Sequence, residues 1–400
     1  MPIRLLARQP RRSKAKKAIL ALNYPAGPDF CLISRIRLNH RHIEKGRSGN
    51  HGFDRAYIVP YSGKLSLQFL RECKRLFVYA GIDEAGYGPM FGPLVVARSI
   101  FVLDRHDPVL EPPSLWTLLR SSVCKKPADK KKRLAVNDSK LLYKPAWSLK
   151  HIERGVLSFL STSGVSAKNL NGLLENLAYD SLSREIKLDW YLSPGGEPRI
   201  PLFLSPTQLQ QSKERLNKAM FSNAVRLGDI KAALVFEDRF NQMVRSNRSK
   251  AACAWTFVSG HLKSVWRQYG HHHPLAVVDR QGGRRNYKDL LASDFFPAEL
   301  EILYENPQKS GYRLIHGTRQ MHVLIQVGSE KQHLPVALAS MAAKYLRELL
   351  MMRFQDFWSV QAPEVKPTYG YFGDGRRFLK EIRPLIDELK IDPEKLIRCC

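Results

Sequence analysis

The chain has 400 residues, more than one small core needs, so one large domain with additions or two domains is expected. Its 64 Lys and Arg against 37 Asp and Glu leave a net charge of +27, an excess that suits a polyanionic partner because each phosphate contact releases condensed counterions. No apolar run is long enough to span a bilayer, and the 6 cysteines show no CxxC pair, which argues for reduced thiols in a cytoplasmic setting and against a disulfide scaffold.

Residues 1–75 hold 17 Lys and Arg against 4 Asp and Glu. With few periodic apolar runs and clusters such as "RRSKAKK", they are expected to form a basic, disordered extension, either touching nucleic acid or serving as a solvated leader. The opening "MPIRLLARQPRRSKAKKAILAL" is basic and then only briefly apolar, without a small-residue cleavage pattern, which argues against a secretory signal. From 76 to about 385 the chain reads as one folded domain. "LFVYAGI" and "PLVVARSIFVL" predict a hairpin over 77–103, followed by the basic loop "CKKPADKKKRLAVNDSKLLY". Helical periodicity dominates from about 146 to 270, with a helical insertion over about 146–235 interrupted by "YLSPGGEPRIPLFLSP". Within it, "WSLKHIERGVLSFL" reads as a surface helix with one core face. "LAVVD" at 275–279 reads as a buried strand ending in a carboxylate, and "LEILYE", "YRLIH" and "MHVLIQVGSE" as further strands. "LPVALASMAAKYLRELLMMRF" is the clearest helix, and its small residues Ala337, Ala339, Ser340 and Ala343 permit close packing on a sheet. Residues 386–400 are left as a tail. Hairpin, helices, isolated strands and a closing helix together predict an α/β chain with a mixed β-sheet flanked by helices.

Within "GIDEAGYGPMFGPLVVA" (81–97), Asp83 and Glu84 lie where two apolar strands meet. A polar hairpin turn is one reading and a metal site the other. In a regular strand neighbouring side chains point to opposite faces, but the glycines at 86 and 88 break the strand, and a twisted strand end can turn both carboxylates toward one site. Asp279 closes a second apolar run and Glu330 follows a third. Four carboxylates without well-spaced Cys or His suit Mg2+ or Mn2+ rather than zinc. Two such ions about 4 Å apart can activate a water and stabilise the leaving oxygen of a phosphodiester. "HHHP" at 271–274 reads as an exposed loop end, and "KKPADKKKR" as a solvated loop or a phosphate contact.

At these residues the chain resembles the type 2 ribonucleases H (ribonuclease HII). "GIDEAGYGPMFGP" is similar to the family's G-I-D-E-A-G-R-G-P followed by G-P. "VNDSKLL" at 136–142 resembles its D-S-K segment, "NRSKA" at 247–251 its N-x-x-x-A pattern, and "VVDR" the strand end with its third catalytic Asp. "SEKQHLPVALASMAAKYLRE" resembles the fourth-carboxylate segment and the helix A-A-S-I-x-A-K-x-x-R-D behind it, and "GYFGD" at 370–374 loosely resembles G-Y-G-T. The resemblance implies a ribonuclease H-like fold and endonucleolytic cleavage of the RNA strand of an RNA–DNA hybrid or ribonucleotide-containing duplex by a two-metal-ion mechanism. It further implies that Asp83, Glu84, Asp279 and Glu330 bind two Mg2+ or Mn2+ ions, with Asp83 bridging. Gly86, Tyr87 and Gly88 would line the minor groove near the 2′-hydroxyl, Ser139 and Lys140 would touch the backbone, and Tyr371 would stack on a sugar on the DNA side of the scissile junction.

Three departures stand out. Tyr87 replaces the family's Arg, Glu330 replaces an Asp, and the stretches from Lys140 to Asp279 and from Asp279 to Glu330 are expanded. A monomeric metal-dependent nuclease is the leading expectation. A nucleic-acid-binding relative with weak or no turnover is the alternative.

Overall fold

Phe77–Ala85 (β1) and Leu94–Leu103 (β2) are rich in β-branched and aromatic residues, and they pair antiparallel from Phe77 opposite Leu103 to Ala85 opposite Val95. Their near-continuous burial explains why they read as apolar runs without alternation. The computed structural model describes residues 76–399 apart from 105, 107–110, 128, 130, 144–148, 182, 184–185, 193–197, 248, 283 and 285. The basic extension expected over 1–75 lies outside them.

After β2 come a short helix Leu115–Leu118 (α1) and two paired two-residue strands, Val123–Cys124 (β3) and Leu134–Ala135 (β4). Four helices follow, Ser139–Leu142 (α2), Lys150–Thr162 (α3), Leu170–Leu177 (α4) and Pro206–Ser222 (α5). The strand Val225–Val235 (β5) leads to Glu237–Asn247 (α6), Lys250–Tyr269 (α7) and Leu275–Asp279 (β6). Then come Lys288–Phe295 (α8), the strands Glu299–Glu305 (β7), Lys309–His316 (β8) and Arg319–Gln326 (β9), and the helices Leu334–Gln361 (α9), Phe372–Glu388 (α10) and Pro393–Leu396 (α11).

Seven strands form one mixed sheet in the order β5-β2-β1-β6-β9-β8-β7, with β1, β6 and β9 parallel and the pairs toward either edge antiparallel. Alternate residues divide the apolar side chains between two faces. One face carries Tyr79, Val95, Ala97, Phe101 and Val277 against α9 and the helices α3 to α5. The other carries Val78, Ala80, Val96, Val278 and Val323 against α6, α7 and α8. The expected α/β architecture, a mixed sheet flanked by helices, is therefore present. Ala337, Ala339, Ser340 and Ala343 are all buried, as their size requires.

The closest approach is at Gly81. A Cβ there would stand 2.1 Å from the backbone nitrogen of Val336 and 2.2 Å from the carbonyl carbon of Pro335, so only glycine lets the start of α9 rest on β1. Ser99 on β2 donates to the Pro335 carbonyl at 2.7 Å and fixes the same contact from the next strand.

The insertion expected over 146–235 differs in two respects. Residues 225–235 are not helical but form β5, paired with β2 from Leu94 opposite Val235 to Leu103 opposite Val225. The helices before it are part of the main core. They cover one face of the sheet, and α3, expected on the surface, buries eight residues from Ile152 to Leu160. Buried Glu153 accepts the N–H groups of Leu202 and Phe203 at 2.8 and 2.7 Å and the Tyr345 hydroxyl at 2.9 Å, tying this layer to α9. The expected boundary at 385 falls inside α10, and the segment beyond it packs inward, with Leu396 and Arg398 both buried. Among the described residues Cys124, Cys253 and Cys399 are free thiols, and no helix is long and apolar enough to cross a membrane.

Candidate metal and nucleic-acid site

The parallel register brings three strand ends together. Ile82 lies beside Val278, and Asp279 beside Gln326, so the parallel pairings of β1 with β6 and of β6 with β9 end in one row at the open end of the sheet. In α/β sheets this carboxyl end of parallel strands is where ligands are bound. Asp83 is one residue beyond Ile82 on β1, Asp279 ends β6, and Glu330 lies in the short turn Ser329–Lys331 after β9.

Electrostatics links the four. Asp279 acts on Asp83, Glu84 and Glu330 alike. Burial, and after it the charges of Glu84 and Asp279, pushes the Asp83 carboxyl well above the usual range, against the opposing hydrogen bonds of Ser340 and the Glu84 N–H. Burial and then Asp279 raise Glu84 to about 7, with Lys140 acting the other way. Glu330 is raised to about 7 by burial and Asp279, and Asp138 adds to the repulsion. Its Oε2 is buried and has no hydrogen-bond partner among the described residues. Asp279 is held in place, its Oδ1 accepting the Ser329 N–H at 2.8 Å and the Ser329 hydroxyl at 3.0 Å.

A buried group of like charges with an unsatisfied carboxylate oxygen is costly by itself, and hard divalent cations relieve that cost. The donor chemistry therefore fits Mg2+ or Mn2+. Among the described residues, however, no three His, Cys, Asp or Glu side chains already converge to hold one ion.

The remaining expected residues surround this row. Gly86 has φ +82°, a conformation that favours glycine, and a Cβ there would meet the Pro93 carbonyl at 2.5 Å and Arg347 Nε at 2.7 Å. Tyr87 is half-buried, packed against the core on the α7 side of the sheet. Gly88 is exposed, and a Cβ there would meet nothing within 4 Å. Of the pair Ser139 and Lys140, only Lys140 faces outward. Ser139 is buried with its hydroxyl 3.0 Å from that of Ser340, so it braces α2 against α9 and is not positioned as an outward backbone contact. Tyr371 is exposed at the start of α10, its ring 5.9 Å from the Arg347 guanidinium. His271 of "HHHP" meets Thr318 at 2.9 Å and Arg319 at 3.2 Å, as an exposed loop end.

Sequence reading missed several supporting residues. Asp138 caps α2 by accepting the Lys140 N–H at 2.9 Å and acts on Glu330; it lies inside the "VNDSKLL" segment that drew attention only to its neighbours. Ser329, which holds Asp279, carried no signal beyond its place before Glu330, and Ser340, marked only as a small packing residue, also hydrogen-bonds Asp83.

No protein-family model and no curated protein matches the chain. Among solved structures it is similar to that of the PCNA:RNase HII complex from Archaeoglobus fulgidus, at 15% identity and a TM-score of 0.35 over 80% of this chain and 94% of that one. It is also similar to the ribonuclease H2 of Pyrococcus horikoshii, at 14% identity and a TM-score of 0.35 over 80% and 92% of the two chains. A third similar structure is Bst-RNase HIII in complex with Mn2+, at 14% identity and a TM-score of 0.36 over 82% and 68%. At these TM-scores the likeness assigns no function.

Proposed function

We propose that the chain is a metal-dependent endoribonuclease that hydrolyses the RNA strand of RNA–DNA hybrids. The observation that carries this reading is the row of strand ends in which Asp279 lies in electrostatic range of Asp83, Glu84 and Glu330. These four would hold two Mg2+ or Mn2+ ions, which when bound supply Lewis acidity at the phosphodiester and an ionised water. The protein's own groups set the geometry. Ser329 orients Asp279, and Ser340 lies beside Asp83. Lys140, exposed next to Glu84, offers a cation to a phosphate, while Gly88 leaves open space for a sugar edge beside Tyr87. The exposed Tyr371 ring would stack on a sugar on the DNA side of the scissile junction.

Binding without turnover is the second reading. It draws on Tyr87 standing where the resembled family has Arg. One assay separates the two: purified protein with Mg2+ or Mn2+ on a labelled hybrid, on a duplex with a single ribonucleotide, and on all-DNA duplex. Ion-dependent cleavage confined to RNA-containing substrates is the expected result. Hybrid binding with no cleavage in either ion would overturn the first reading.

A further inference from the structure

The loop from Gly86 to Gly92 carries Tyr87 and Gly88, which stand beside the sugar edge in the proposed function, and its backbone is fastened to side chains from far along the chain. Arg398, which follows α11, is 2% exposed. Its Nη1 donates to the Gly86 carbonyl and, at 3.4 Å, to the Gly92 carbonyl, while Nη2 donates to the Tyr87 carbonyl at 2.9 Å. Its own N–H donates to the Met90 carbonyl at 2.9 Å. One side chain thus fastens both ends of the turn.

Other buried groups hold this clasp. Glu237, at the start of α6, is fully buried, and its Oε1 accepts the Gly92 N–H at 2.9 Å and the Tyr191 hydroxyl at 2.6 Å. Its carboxyl, which burial raises to about 7, acts on Arg398. Asn241, one turn further along α6, donates to the Glu394 and Ile397 carbonyls at 2.8 and 2.7 Å and accepts the Cys399 N–H at 2.7 Å, locking the segment that carries Arg398. The guanidinium lies 3.8 Å from the centre of the Phe240 ring. From the other side, Arg347 donates to the Phe91 carbonyl at 3.1 Å, and the Met90 and Phe91 N–H groups both reach the Gly370 carbonyl. Burial lowers Arg398 to about 10, so it remains a cation at neutral pH.

A buried guanidinium is expensive, and an apolar side chain of similar volume would fill the same space at less cost. What an apolar residue cannot supply is a planar fork matched to several carbonyls at once. We propose that Arg398 is a positioning residue that sets the substrate-facing geometry of Gly86, Tyr87 and Gly88. Preference for an RNA-containing strand then depends on a side chain 311 positions away from Tyr87 in the sequence. The inference rests on the proposed function, since it presumes that this loop meets the sugar.

The test uses the full chain with Asp83→Asn, which permits binding without cleavage, and compares it with the same protein carrying Arg398→Lys, which keeps the cation and loses the fork. Amide hydrogen exchange and anisotropy binding to a labelled hybrid and to all-DNA duplex are measured on both. The expected result is exchange at Met90, Phe91 and Gly92 about tenfold faster or more with β1 and β6 unchanged. A roughly tenfold loss of hybrid-over-DNA preference should accompany it, with DNA affinity intact. A folded Arg398→Lys protein with unchanged exchange and unchanged preference would overturn the inference. If Arg398→Lys does not fold, Asn241→Ala, which releases the segment around Arg398 and leaves the arginine in place, is judged by the same two readouts. A parent protein with no hybrid preference would sink the proposed function instead, and the exchange data would still show whether Arg398 sets the loop.

Discussion

Glu84→Gln tests the candidate site through stability as well as activity. Burial and the Asp279 charge raise Glu84 from its ordinary 4.5 to about 7 in the folded protein. The folded state therefore holds this proton more tightly than the unfolded chain does. The stability it confers is fully present below pH 4.5 and is lost as the pH rises through about 7. Holding Glu84 ionised at pH 8 without a cation costs roughly 3 kcal/mol by the usual conversion, and about 1–3 kcal/mol after allowing for its partial exposure. Glutamine removes the charge and keeps the shape. In chelator the variant should melt a few degrees above the parent at pH 8, and the difference should shrink toward zero near pH 5. Adding Mn2+ should raise the parent's melting temperature more than the variant's and restore cleavage only in the parent. Scanning calorimetry over pH 5–8, with and without the ion, reads all of this. A variant no more stable than the parent at pH 8, or a gain that persists unchanged at pH 5, would refute the electrostatic account of the row.

Asp83→Asn should abolish turnover while leaving hybrid binding nearly intact. Loss of a direct ligand exceeds the roughly 10–100-fold effect of residues that only orient one, and wild-type cleavage by this variant would exclude the assignment. Affinity for Mn2+ should fall as the pH drops from 8 to 6, because Glu84 and Glu330 must both release protons near pH 7 to bind it; a flat calorimetric titration across that range would contradict this. Tyr87→Arg should add a forked, charged donor worth about 1.5–3 kcal/mol, narrowing a preference for continuous hybrid over a single embedded ribonucleotide. Comparing kcat/KM on both substrates decides it, and equal or better cleavage of the single-ribonucleotide duplex by the parent would remove the premise. Gly81→Ala should cost more than about 3 kcal/mol, since its Cβ would stand 2.1 Å from the Val336 nitrogen, and a protein melting within a degree of the parent would show that α9 does not rest there.

Local pattern was enough for the parts of this chain whose neighbours in sequence are also their partners in packing. β1, β2, β6 and α9 are apolar runs buried almost throughout, so their composition announces them before any contact is known. The same runs placed Asp83, Asp279 and Glu330 at strand ends. Pattern failed where burial is supplied from elsewhere. β5, "VRLGDIKAALV", mixes charges with apolar residues and becomes a strand because the edge of β2 pairs with it over ten residues, satisfying backbone groups that no local signal reveals. The helices before it read only as an insertion because their apolar faces do not say which surface they cover. Ser139, which the resemblance implies as a backbone contact, turns its hydroxyl inward to Ser340 because α2 docks on α9. Arg398 is the extreme case, one basic residue among 64 Lys and Arg, distinguished only by the carbonyls around it. Side-chain chemistry and hydrophobic period are properties of the chain, readable in order. The meeting of Asp279 with Asp83, and of Arg398 with the glycine loop, depends on strand register and helix docking, which exist only once the sheet has formed.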